Sequence, residues 1–156
     1  VRVVFDNPNS STVRFIKDTV LEGKPFSDNI RAQESNRAVI DFVSKTPNAM
    51  GFVGVSWVSN PEDTTNLSFT DKIRVMSVSA YTEAREDNSY KPFAAWIAMN
   101  KYPLVRDVYM IISDVRGGLP SGFMNFVAGS SGQRLIMKSG MVPATQPLRL
   151  VSVKSE

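Results

Sequence analysis

The first sixty residues alternate two hydrophobic patterns, and this alternation limits the fold more than any other feature of the chain. Val1 to Phe5 is a short β-branched, apolar run that reads as a buried strand. From about Ser11 to Leu21 the residues Val13, Ile16 and Val20 recur at helical spacing, and Glu22-Gly23 with Pro25 beyond ends that pattern. Asn29 to Gln33 is a second short strand candidate. Asn36 to Lys45 places Val39, Ile40 and Val43 on one helical face, with Pro47 after its end. Ala49 to Val58 is apolar again, and its Gly51 and Gly54 suggest a strand with close backbone packing. Strand, helix, strand, helix, strand is the order of an α/β fold, in which helices cross between parallel strands.

The remainder is less regular. Asn60 to Thr70 is polar and loop-like, Lys72 to Ala80 alternates as a strand does, and Glu83 to Tyr90 is charged and expected at the surface. Tyr102-Pro103 leads into Val105 to Ile112, where Val108, Met110 and Ile112 alternate as in a further strand. Gly117, Gly118 and Pro120 break the chain before two short helices. The first holds Phe123, Phe126 and Val127; the second runs from Gly132 to Ser139 and ends at Gly140, a residue suited to a left-handed helix cap. Leu148 to Val153 reads as a closing strand.

With 156 residues, 42% hydrophobic and 21% charged, the chain has the make-up of a globular unit able to bury a core. Its longest apolar runs fall short of the roughly 18 residues that span a bilayer. Cys and His are both absent, which excludes a thiolate nucleophile, a disulfide, a zinc-finger site and a Ser-His-Asp triad. The acidic residues are not grouped at metal-ligand spacing, so neither a metal nor another cofactor is expected, and an enzymatic role is disfavoured. The net charge of +3 comes from scattered Lys and Arg rather than a basic stripe, which argues against nucleic acid as a partner.

The chemistry concentrates in DNPNSSTVRF, residues 6 to 15, between the first strand and the first helix. A helix N-terminus presents unpaired amides and a partial positive charge, so it attracts anions, and Ser or Thr hydroxyls there add donors. Capping of the helix by Asn9 or Ser10 accounts for the same residues. Arg14, on the first turn, either adds positive charge to such a site or turns to solvent. Ser35-Asn36 opens the next helix with the same two readings, cleft lining or cap. Trp57 and Trp96 are expected in a core or interface, Gly117-Gly118 in a plain turn, and Ser130-Ser131 in a linker between helices.

Four segments agree, in order and approximate spacing, with one known family. They are VVFDNPNSSTVRFIKD, ESNRAVIDFVSKTPNAMGFVGVSWV, YPLVRDVYMI and GFMNFVAGSSGQRLIMKSGMVPA, which carry Ser-x-Thr after a strand, Pro-x-Ala-Met-Gly-Phe-Val after a helix, Tyr-Pro-Leu, and Gly-Gln with Gly-x-Val-Pro. The chain resembles the second half of the phosphate-binding periplasmic proteins, the solute receptors of ATP-binding-cassette phosphate transporters. The resemblance implies an α/β fold of the type II periplasmic-binding-protein kind. Residues 1 to 104 would form the second lobe, Val105 to Ile112 the return crossing, and residues 113 to 156 the C-terminal part of the first lobe, with that lobe's opening strands upstream of Val1.

The family grips phosphate with a Ser-Gly-Thr turn, which by resemblance falls on Ser10, Ser11 and Thr12; Arg14, read from its place on the first helical turn, is the candidate to restore positive charge there. Two positions depart from the family: Ser11 stands where Gly is usual, which would strain a left-handed backbone, and Asp6 stands where many members have Arg. The implied ligand is phosphate or a similar oxyanion, the implied partner a membrane permease, and the implied location extracytoplasmic, in the periplasm or on a membrane-anchored lipoprotein. A different ligand, or an interaction domain that has lost anion binding, is the alternative. The sheet edges left open by the implied missing strands favour self-association.

Overall fold

A computed structural model describes residues 1–60, 62–63, 68–113 and 116–145. Val1–Asn60 with Ser68–Val75 forms one compact unit, and the described residues from Met76 onward belong to a second.

The first unit is the α/β arrangement read from the pattern. It contains β1 (Arg2–Phe5), α1 (Ser11–Thr19), β2 (Ile30–Ala32), α2 (Asn36–Lys45) and β3 (Ala49–Gly51). The strands form a parallel sheet in the order β2-β1-β3, with Val3 opposite Ile30 on one side and Met50 on the other. The central position of β1 explains why its residues are the most apolar: Val4 and Phe5 are fully buried, and with Ile16, Val39, Ile40 and Val58 they form the core. Phe5 stacks on Phe52 with ring centroids 5.0 Å apart and meets Phe26 at 5.6 Å. Gly51 is required by packing, since a Cβ there would lie 2.6 Å from Val39 Cγ1 and 3.0 Å from Val43 Cγ2; the missing side chain lets α2 lie close on β3.

The expected strand from Ala49 to Val58 is shorter. It ends at Gly51, and a 3-10 turn at Val55–Trp57 follows. That turn sends Val58 into the core and leaves Trp57 53% exposed, so Trp57 is not the core aromatic its type suggested.

In the second unit, the expected strand from Lys72 to Ala80 reduces to β4 (Val78–Ser79), paired antiparallel with β5 (Ser89–Tyr90). The segment instead leaves one unit and enters the other at Val75-Met76. Asn88 organises the turn between the two strands. Its Oδ1 accepts from Ser79 Oγ (3.0 Å) and from the Arg85 amide (2.8 Å), and its Nδ2 donates to the Glu83 carbonyl (3.0 Å). The short helix α3 (Ala94–Ala98) was not apparent in the sequence. Its Trp96 tilts against Tyr90 at 5.2 Å, and the Lys101 ammonium lies 5.0 Å from the Trp96 ring.

Val105 to Ile112 does not form the expected strand. The alternating pattern is present, but a strand exists only as part of a ladder, and no described residues pair with this segment. Val108, Tyr109 and Ile111 are at least 80% exposed. The two helices that follow are α4 (Leu119–Ala128) and α5 (Ser130–Lys138). Ser130 and Ser131 belong to the first turn of α5 rather than to a linker; Gly129 alone joins the helices, ending α4 and preceding α5.

Gly132 fits where a Cβ would approach Val127 Cα to 2.5 Å. Beside it, Gln133 is buried; its Nε2 donates to the Val127 carbonyl (2.9 Å) and its Oε1 accepts from the Thr145 amide (3.2 Å). Gln133 of the Gly-Gln pair thus ties Thr145, two residues beyond the Gly-x-Val-Pro segment, to the α4–α5 corner. Gly140 has φ 81° and its amide donates to Met137, the left-handed cap expected there. The expected strand at Leu148 to Val153 lies outside the described residues. Among those residues, no helix is long and apolar enough to cross a membrane.

Candidate functional site

In an open parallel sheet, ligands bind beyond the carboxyl ends of the strands, where the strand order reverses. Here the order reverses at β1, with β2 on one side and β3 on the other. The turn after β1 therefore occupies the favoured position, and it is the hydroxyl-rich DNPNSST segment.

Ser10 is the cap of α1. Its Oγ accepts from the Val13 amide (3.2 Å), its carbonyl accepts from the Arg14 amide (3.1 Å), and its own amide donates to the Asn7 carbonyl (3.0 Å). Asn9 is not the cap; its amide donates instead to Asn7 Oδ1 (2.8 Å). We expect Ser10→Ala to cost about 1 kcal/mol, seen as a lower urea midpoint with unchanged slope.

Ser11 is the first helical residue and lies outside the left-handed region. The strain expected from replacing the family's Gly is therefore absent, because the turn enters α1 through ordinary right-handed backbone. The Ser11 amide has no hydrogen-bond acceptor among the described residues. Thr12 follows, half-buried. Arg14 is exposed, and its guanidinium has no ion-pair or hydrogen-bond partner among the described residues. The structure thus gathers Ser10, Ser11, Thr12 and Arg14 on the first turn of α1, commits the Ser10 hydroxyl to capping, and directs Arg14 to solvent.

The sequence did not reveal the role of Asn36. Asp6 Oδ1 accepts from the Asn7 amide (3.0 Å), and Asp6 Oδ2 accepts from Asn36 Nδ2 (3.1 Å). Asn36 is the first residue of α2, whose cap is Ser35 through its Oγ and the Ala38 amide (3.2 Å). Thirty residues separate the bonded pair, so no local pattern shows the contact. It arises because β1 and β2 are adjacent and parallel, which brings their carboxyl-end turns side by side.

These groups can offer amide and hydroxyl donors to an anion. They include no nucleophile–base pair, and among the described residues no cluster of three or more acidic side chains could hold a metal.

A family model described as a PBP superfamily domain matches residues 1–131. The chain belongs to the PBP superfamily. The match runs from β1 into the first turn of α5, and together with the parallel sheet it establishes the α/β periplasmic-binding-protein-like fold. Curated relatives agree. The chain is 23% identical over 141 residues to the phosphate-binding protein PstS of two Pseudomonas aeruginosa strains, covering 88% of this chain and 39% of the relative. It is 26% identical over 152 residues to the phosphate-binding protein PstS of Borreliella burgdorferi, covering 90% of this chain and 48% of the relative. The chain thus spans less than half the length of these relatives and is related to the phosphate-binding proteins.

Proposed function

We propose that this chain is part of a non-catalytic, extracytoplasmic receptor that holds phosphate or a similar oxyanion at the N-terminal turn of α1 and hands it to the permease of an ATP-binding-cassette transporter. The observation that carries the reading is the position of that turn: a Ser-capped helix start whose Ser11 amide has no acceptor among the described residues, at the carboxyl end of the central strand. An anion there meets oriented N–H groups and the positive end of α1. In this reading, residues 1 to 104 are the second lobe and residues 105 to 156 the return crossing and part of the first lobe. The remaining donors come from the part of the relatives that this chain does not span, so the 156-residue chain alone binds weakly.

Within the site, Ser11 and Thr12 are the donors and Arg14 supplies a long-range positive charge from the rim. Thr12→Val keeps the side chain's shape and removes a hydroxyl facing a charge. It is expected to weaken phosphate binding by about 1.5 to 3 kcal/mol, roughly ten- to a hundredfold, in a titration of the folded full-length receptor. Equal binding by Thr12→Val and the parent would contradict this assignment. One observation favours a second reading: the Asp6 carboxylate beside the turn and the solvent-directed Arg14 suit a domain that takes a less charged ligand.

A further inference from the structure

We infer that Asn36 is a positioning residue for the α1 turn and acts through Asp6; as a statement about anion binding, this rests on the reading above. The hydrogen bonds form one uninterrupted chain. Asn36 Nδ2 donates to Asp6 Oδ2 (3.1 Å), the Asn7 amide donates to Asp6 Oδ1 (3.0 Å), the Ser10 amide donates to the Asn7 carbonyl (3.0 Å), and the Val13 amide donates to Ser10 Oγ (3.2 Å). The first residue of α2 is thereby coupled to the cap of α1.

The coupling does two things. It fixes the turn that sets the direction of the Ser11 and Thr12 donors, and holding donors in place before the anion arrives lowers the ordering cost of binding. It also engages the Asp6 carboxylate with two N–H donors, which compensates part of a negative charge that would otherwise repel an anion at the same turn. Asn at position 36 suits this role because its neutral amide reaches the carboxylate while its backbone begins the helix. A carboxylate in its place would set two like charges together.

The test uses the 156-residue chain and inorganic phosphate as the probe. Without phosphate, Asn36→Ala should speed hydrogen exchange at the Asn7 and Ser10 amides while the helix content of α2 is retained. In the presence of phosphate, Asn36→Ala should weaken the response of the Ser11 to Val13 amide resonances by about three- to tenfold, and Asn36→Asp by at least as much. With Asp6→Ala as the background, the further change Asn36→Ala should alter neither quantity, because the link is already broken. A residue that merely supports α2 would show the same effect with or without Asp6. Unchanged exchange at Asn7 and Ser10 in Asn36→Ala, or effects of Asp6→Ala and Asn36→Ala that simply add, would overturn the inference even where phosphate binds. Faster exchange with no phosphate response in the parent chain would instead overturn the anion-binding part of the inference and leave the link from Asn36 to the α1 cap standing.

Discussion

Phe5→Ala should destabilise the first unit by about 3 to 5 kcal/mol, the usual cost of deleting a buried aromatic side chain. Phe5 is 2% exposed, lies on the central strand, and stacks on Phe52 while touching Phe26. Its removal leaves a cavity between strand and loop that neither ring partner can fill without shifting its backbone. Since a domain of ordinary size is stable by only about 5 to 15 kcal/mol, the variant would sit near the edge of folding. Urea unfolding followed by circular dichroism measures the loss. Phe26→Ala serves as the comparison, because Phe26 is only half-buried and should cost less. A loss below about 1 kcal/mol for Phe5→Ala would mean that the core does not centre on β1.

Gly132→Ala should destabilise the second unit by about 3 kcal/mol, although Ala is the better helix former by about 1 kcal/mol. Packing decides the sign. A Cβ at this position would come within 2.5 Å of Val127 Cα and 2.6 Å of the Val127 carbonyl oxygen, and backbone atoms cannot turn aside as a flexible side chain can. The α4–α5 corner must open, which also stretches the Gln133 bonds to Val127 and Thr145. Amide exchange at Thr145 and the thermal midpoint both report the change. A gain in stability would show that propensity outweighs packing there and that the helices are less closely apposed.

The features legible in the sequence were those set by neighbouring residues. The helix starts at Ser11 and Asn36 follow from a Ser before a periodic apolar run, a signal contained within a few residues. Gly140 was readable because few residues other than Gly tolerate its backbone angle. Cap identity was less so: Asn9 and Ser10 are equally good capping types, and one residue of register separates them. The strand expected at Val105 to Ile112 shows the limit of periodicity, since alternation records that a segment can pair and not that a partner lies beside it. The helix α3 is not legible in the sequence because five residues of Ala, Trp and Ile are too few to show a period.

The candidate site divides the same way. Ser10, Ser11, Thr12 and Arg14 lie within one turn and could be named together, whereas the Asp6–Asn36 bond depends on which strands are neighbours. That order, β2-β1-β3, becomes known only once the sheet has formed. The backbone of Ser11 is hidden from the sequence for a related reason: whether a turn needs a left-handed residue depends on how the strand enters the helix, and here it enters through a Ser10 cap with φ −69°.

The most direct test of the anion site is a phosphate titration of the isotopically labelled 156-residue chain, followed at the backbone amides and repeated with chloride at matched ionic strength. The account predicts saturable, phosphate-dependent shifts that are largest at Ser11, Thr12 and Val13, weak in affinity and absent with chloride. Shifts that are spread over the surface, that chloride reproduces, or that leave the α1 turn unmoved would contradict it.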